Sequence, residues 1–272
     1  MRPVRNRPVG LLAIVTVTIA LLPSCQSSGE RAVTFEVEPS LRAGPVSGYF
    51  QIPSGGKPES TSLKRPTLDE LGITWSAQVG LGLRARAASH DLYLDGRWLF
   101  LTGEGHASGD FTSQGEEFPD GAKLESDSGI GTWALTYGYS IPLGSEVSGW
   151  TLAPRVGITG VTARFKVDGD HGGRTNRSFT HLVPTLGVEL VLAPEASAWR
   201  FLLRGQTTLT YRDRNLHVTD IGARFGREFS ESLEGWLELG YQHFYLQDSQ
   251  TFPNQLNIEF GPTLGVGIDW RF

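Results

Sequence analysis

Residues 73–86 read ITWSAQVGLGLRAR. Ile73, Trp75, Ala77, Val79, Leu81, Leu83 and Ala85 are apolar, and they alternate with Thr74, Ser76, Gln78, Gly80, Gly82, Arg84 and Arg86. Successive side chains of a strand point to opposite faces, so this pattern predicts a strand with one greasy face and one small, polar or cationic face. The run is also long. Strands of globular proteins usually have about 5–6 residues, whereas a tilted strand needs about 9–11 to cross the hydrocarbon of a bilayer. Length and alternation together predict a strand that spans a membrane.

The same period recurs along the chain. Trp199, Phe201, Leu203, Gly205, Thr207, Leu209 and Tyr211 alternate with Arg200, Leu202, Arg204, Gln206, Thr208, Thr210 and Arg212. The last strand alternates most cleanly: Leu256, Ile258, Phe260, Pro262, Leu264, Val266, Ile268, Trp270 and Phe272 against Asn257, Glu259, Gly261, Thr263, Gly265, Gly267, Asp269 and Arg271. Ten strands are expected, at 33–52, 72–88, 91–106, 124–141, 149–166, 178–193, 197–212, 215–229, 233–247 and 256–272. Their connections alternate between short and long, with 213–214 a tight exception, as periplasmic turns and surface loops do. The first strand carries Pro39 and Gly44-Pro45, yet without it the count becomes odd. Pro154, Pro184 and Pro262 lie inside strands, where each removes a ladder donor, so local bulges are expected there. Trp236 falls on the lumen side with Glu238, which suggests a bulge or internal packing.

Composition agrees. In 272 residues there are 34 glycines and 10% aromatic but only 19% charged side chains, a mixture suited to strands and turns. The net charge is -5 with no Lys/Arg cluster, which argues against nucleic acid as a partner. Arg2, Arg5 and Arg7 precede a short apolar run, Val9 to Leu22, that is too brief to span a bilayer as a helix and reads as an export signal. The expected organisation is a signal over 1–25, a polar tether over 26–32 and an outer-membrane barrel domain over 33–272. Trp150, Trp199, Trp270, Phe272 and Tyr139 fall near one set of strand ends, and Trp75, Tyr211 and Tyr245 near the other, as interfacial girdles do.

Two segments carry a family resemblance. The chain ends in Gly265-Val266-Gly267-Ile268-Asp269-Trp270-Arg271-Phe272, which resembles the C-terminal signal of Gram-negative outer-membrane β-barrel proteins. The resemblance implies an all-β, transmembrane, antiparallel up-and-down barrel. It also implies that Ile268, Trp270 and Phe272 form the assembly signal read by the barrel-assembly machinery. Leu22-Pro23-Ser24-Cys25 looks like a bacterial lipobox with Pro23 as a departure, which implies lipidation of Cys25, the only cysteine. The alternative is ordinary signal cleavage beside an incidental cysteine.

The lumen face is expected to hold Arg84, Arg86, Arg97, Arg155, Arg200, Arg204, Arg224 and Arg271 with Asp95, Glu189, Asp220, Glu238, Glu259 and Asp269. Facing lipid, each Arg would cost about 2–4 kcal/mol at mid-membrane. Such a set reads either as an ion-pair network filling a narrow barrel or as an anion-preferring conduit. Near eight strands the interior is filled by side chains, so ten favours the filled reading. Thr67-Leu68-Asp69-Glu70 is a capping-box pattern after Pro66, whose Leu68 and Leu71 would either lid the mouth or sit in an exposed loop. His181, His217 and His243, with Asp213, Asp220 and Asp248 near in sequence, are the candidates for catalysis at the outer rim. Asp168-Gly169-Asp170-His171 lacks the spaced ligands of a calcium loop and reads as a polar turn. No metal site and no cofactor is expected. The expected partners are outer-membrane lipid and the assembly machinery, with the chain a monomer. Three functions remain open: an occluded barrel with a structural, surface-interaction or small-solute role; a surface enzyme using the rim histidines; or a lipid-anchored soluble barrel holding an apolar ligand.

Overall fold

The structure, a computed structural model, describes residues 33–51, 65–113, 115–144, 149–194, 197–209, 215–247 and 254–272. The export signal, the tether, Cys25, Tyr211, Arg212, Asp213 and Asp248 lie outside the described residues. Ten long strands form the wall: β1 (Thr34–Gln51), β2 (Trp75–Ala87), β3 (His90–His106), β6 (Lys123–Tyr139), β8 (Trp150–Gly169), β9 (Arg174–Leu192), β10 (Trp199–Thr208), β11 (Asn215–Ser230), β12 (Leu233–Gln247) and β13 (Gln255–Arg271). Two short strands, β4 (Phe111–Ser113) and β5 (Glu116–Phe118), make a hairpin at one end, and β7 (Ile141–Leu143) continues the line of β6 along β8. Each long strand pairs antiparallel with its neighbour in sequence, and β1 pairs with β13 to close the cylinder. Closure leaves no free edge around the ring, which is the condition a sheet must meet to sit in hydrocarbon.

The interrupted first strand forms in full and completes the closure. Pro39 sits opposite Leu81, and the wall irregularity falls between Ala43 and Val46, at Gly44-Pro45. Matching register shifts occur between Gly240 and Gln242 on β12, facing Gly261-Pro262 of β13. Pro154 and Pro184 behave differently from expectation. Each lies in an unbroken register, opposite Val188 and Ile158, without a bulge. Trp236 is also in register, between Gly226 and Gly267, and packs inward. A Cβ on Gly267 would lie 2.2 Å from the Trp236 ring, so the indole occupies the space that this glycine vacates.

The wall changes character along its height. On β8, Trp150, Leu152, Pro154, Val156 and Ile158 face outward, followed by Thr162, Arg164, Lys166 and Asp168. Its inward set runs the opposite way: Arg155 and Thr159, then Val161, Ala163, Phe165 and Val167, all buried. β9 repeats this, with Leu182 to Leu192 outward below Thr180 and Asn176, and β3 does so with outward Phe100 followed by Thr102 and inward Arg97 followed by Leu99. At about 2.6 Å of height per residue for a strand tilted near 40°, the outward apolar span Trp150–Gly160 is about 26 Å tall, matching the apolar band of a membrane barrel. β8 continues about as far again through Gly169. That outer half has the opposite construction, polar outside and apolar inside.

Two assigned faces are corrected. Leu256, Ile258 and Phe260 point into the barrel, buried to 1% exposure or less, while Glu259 faces out. The irregularity at Gly261-Pro262 shifts the strand by one residue, which exchanges its faces. Ile73 is buried as well, because β2 begins at Trp75 and residues 65–74 turn into the mouth. In the hairpin of β8 and β9 the strands run further than expected, leaving 170–173 as a tight turn.

The face exchange on β13 predicts unequal costs for similar truncations. Ile258→Ala should destabilise the barrel by about 2–5 kcal/mol, the range for emptying a packed site. Leu264→Ala, on the lipid side, should cost less than about 1 kcal/mol because lipid fills the gap. Equilibrium unfolding by guanidinium in detergent micelles measures both, and equal costs would contradict the assigned faces.

Candidate functional site

The inside of the barrel is filled in three layers. Lowest, nearest the short turns, is a network of ions. Arg224 reaches Glu38 at 2.5 Å, Glu238 at 3.4 Å and Asp269 at 3.6 Å, with its guanidinium 3.7 Å over the Trp236 ring. The Trp236 indole N–H donates to Asp269 at 2.8 Å. Arg155 bridges Asp91 at 2.8 Å and Glu189 at 2.7 Å, Arg84 meets Glu189 at 3.1 Å, and Tyr93 lies under Arg84 at 4.4 Å. Glu238 also takes Arg204 at 3.1 Å and pairs with Arg42, which meets Asp220 at 3.3 Å. Arg97 pairs with Asp220 and with Asp95 at 2.7 Å. Arg271 and Arg200 share Glu234, at 2.5 and 3.3 Å, and Arg86 lies 3.5 Å from Glu36.

Glu36, Glu38 and Asp269 bring carboxylate oxygens within 4.8 Å of one another, all three residues buried. Arg224 holds two of them, while Arg86 and Arg271 flank Glu36, so guanidinium groups answer the like-charge approach.

The expected lumen residues thus lie inside and in mutual contact, except Glu259. Sequence reading missed Glu36, Glu38, Arg42, Asp91 and Glu234, which are buried members of the same network. Glu36, Glu38 and Arg42 share one parity on β1, and that alternation was a signal for them, obscured by Pro39 between.

Above the ions is a neutral polar layer. Gln78 donates to Gln242 at 2.8 Å, and the Thr159 and Thr185 hydroxyls lie 2.6 Å apart. Above this comes an apolar core in which Val46, Phe50, Leu99, Leu101, Phe165, Phe244 and Ile258 are each at most 5% exposed. The segment 65–73 enters this core. Thr67 N–H donates to Glu70 at 2.9 Å, Glu70 N–H donates back to the Thr67 hydroxyl at 3.2 Å, and the turn drives Leu68 and Leu71 to zero exposure. A Cβ on Gly105 would lie 2.0 Å from the Glu70 carbonyl oxygen, so β3 is bare where this strap crosses it. The β4–β5 hairpin adds Phe111 and Phe118, stacked at 4.6 Å. Two cavities among the described ionic side chains measure about 10 and 20 Å³, room for about one water each.

The rim histidines do not converge. His181 has the parity of buried Val183 and lies 5.6 Å from the Phe179 ring. His243 and His217 are on the opposite, outward face of β12 and β11, His243 bound to Asn257 at 2.7 Å and His217 beside Tyr245 at 6.3 Å. Elsewhere the outward face above the apolar band is ion-paired. Arg174 meets Asp168 at 2.6 Å and Lys123 meets Glu104 at 2.7 Å, and these hydrogen bonds hold both carboxyls below their ordinary range. Ile268, Trp270 and Phe272 all face outward at the short-turn end.

The ion-paired arginines inside and the exposed apolar band outside, Trp75 and Val79 included, define the class: this is a closed, transmembrane, antiparallel up-and-down β-barrel. No family model and no curated protein matches the sequence. Among solved structures it is similar to Neisserial surface protein A, with 12% identity over 88% of this chain and 97% of that one, TM-score 0.36. It is also similar to the translocator domain of autotransporter NalP from Neisseria meningitidis, at 14% identity over 96% and 94%, TM-score 0.35. A third is Ail, the attachment invasion locus protein of Yersinia pestis, at 12% identity over 87% and 99%, TM-score 0.31.

Glu238 is the shared acceptor of Arg42, Arg204 and Arg224. Removing it leaves three buried cations short of a counterion, so Glu238→Ala should cost about 3–5 kcal/mol in the same unfolding assay. A cost under about 1 kcal/mol would mean that the network does not hold the barrel.

Proposed function

We propose that the protein is a monomeric outer-membrane barrel with a closed lumen, which presents its rigid outer half at the cell surface in a structural or surface-interaction role. One observation supports this above the rest: the interior is occupied at every level, by ion pairs, then glutamine and threonine, then an apolar core sealed by Leu68 and Leu71. An anion entering from the short-turn end would have to break paired arginines and then cross a greasy layer. In this reading the short turns face the periplasm and the long connections face outward, so a lipid on Cys25 would tether the chain from the inner side. The outward Ile268, Trp270 and Phe272 are then offered to the assembly machinery, and lipid is the remaining partner.

The outer half, built like a soluble barrel and standing on a membrane-embedded base, supports the surface role over a solute pathway. The rim histidines lend the enzyme reading no shared site, since His181 is on one face of the wall and His217 and His243 are on the other.

Purified protein in planar lipid bilayers is expected to give no stepwise conductance. Leu68→Gly with Leu71→Gly, which loosens the outer seal, should stay silent too, because the ionic layer below remains. Regular conductance steps from the native protein would overturn the closed-lumen reading.

A further inference from the structure

Above the apolar band, the outward wall divides into two sectors. On β3, β6, β8 and β9 the charges neutralise one another: Lys123 with Glu104, Arg164 with Asp127, and Arg174 with Asp168. On β11, β12, β13 and β1 the outward side chains are instead aromatic, amide, imidazole and hydroxyl groups with one carboxylate, in two continuous cross-strand rows. One row is His217, Tyr245, Asn257 and Tyr49, and the next is Thr219, His243, Glu259 and Ser47.

These rows are pre-arranged. His243 is bonded to Asn257 at 2.7 Å, and the Tyr245 hydroxyl donates to Gln247 at 2.7 Å. Arg65 lies 5.0 Å over the Tyr49 ring and donates to its hydroxyl at 3.2 Å, while also bonding Gln51 at 2.8 Å. Immediately below, on the same strands, are outward apolar side chains of high exposure: Leu264 at 74%, Leu237 at 63% and Leu239 at 55%. Leu239 and His243 are four residues apart on one strand, about 13 Å along it. A lipid whose chains cover those leucines therefore sets its headgroup against the two rows.

We propose that this face, carried by Tyr49, His217, His243, Tyr245, Asn257 and Glu259, binds the membrane-proximal saccharide of an outer-leaflet glycolipid. The proposal rests on the outer-membrane reading above. Flat aromatic rings suit the C–H faces of a pyranose, and the amide, imidazole and carboxylate supply donors and acceptors for its hydroxyls. Among the described residues the cation beside these rows is Arg65, already stacked on Tyr49 and bonded to Gln51, which favours sugar hydroxyls over phosphate as the recognised group. The ion-paired sector, with its charges already satisfied, makes a built-in control.

The full-length protein, purified in a sugar-free detergent, is titrated with fluorescent lipopolysaccharide bearing the inner core, with lipid A alone, and with phosphatidylglycerol. The core-bearing glycolipid is expected to bind at least roughly tenfold more tightly than lipid A. Tyr49→Ala with Tyr245→Ala should abolish that preference, and Thr162→Ala with Thr180→Ala, on the other sector, should keep it. If the tyrosine variant loses heat-modifiable gel mobility, His243→Ala with Asn257→Ala is read in its place. Equal affinity for core-bearing lipid and lipid A, tighter binding of phosphatidylglycerol, or a preference that survives these replacements overturns the proposal. Native protein that shows no heat-modifiable mobility at all would instead remove the outer-membrane reading, and this proposal with it.

Discussion

Hydrocarbon accepts leucine and rejects guanidinium, and water does the reverse. A closed sheet has to answer whichever solvent it meets at each height. The strands here are long enough to meet both. In the lower half the outside is leucine, valine and tryptophan, and the arginines have nowhere to go but inward. Once inside they need carboxylates, because a buried cation without a partner costs several kcal/mol. In the upper half the outside meets water and headgroups, the polar residues return there, and the interior becomes free to pack phenylalanine and leucine. The glutamine and threonine layer lies between, where neither ions nor apolar groups fit well.

This exchange explains what the alternation in the sequence revealed and what it hid. Period two identifies strands whichever face is greasy, so the ten strands and their closure were legible. The exchange itself is written as a phase slip, with the apolar set changing parity partway along a strand. β3 shows it as the unbroken run Trp98-Leu99-Phe100-Leu101, and β8 as Val156 and Ile158 giving way to Val161, Ala163, Phe165 and Val167. Read singly, each slip resembles noise. β13 is the reverse case. Its apolar residues keep one parity from Leu256 to Trp270, so it looked the simplest strand of all. The backbone irregularity at Gly261-Pro262 supplies the exchange there, turning the upper residues inward while the pattern stays constant. Glu259 was misplaced for that reason, and so were Ile258 and Phe260.

The inner site was partly legible for a related reason. Charges on the polar parity of a spanning strand have to face the lumen, which located Arg84, Arg155, Glu189, Arg224 and Glu238. Which arginine meets which carboxylate depends on register across the barrel. Arg224 finds Glu38 from 186 residues away in sequence, and local pattern does not contain that. The histidines illustrate the same limit. His181, His217 and His243 shared a rim in the linear reading, but closeness to a rim leaves open which side of the wall each one faces.

Two different interiors in one cylinder also bear on what the molecule is for. An ion network alone would seal the lumen while leaving polar groups that water and solutes can exchange with. An apolar core alone would hold a barrel in water but not in lipid. Stacked, they oppose passage by different physics: the core excludes ions by desolvation, and the ionic layer offers a charged solute only arginines and carboxylates that are already paired with one another. The strap of residues 65–73 strengthens this, since it buries Leu68, Leu71 and Ile73 completely or nearly so where a pore would keep a mouth. A wall continued well beyond the apolar band carries an outer surface whose side chains are held by hydrogen bonds and ion pairs, which supports the proposed surface role.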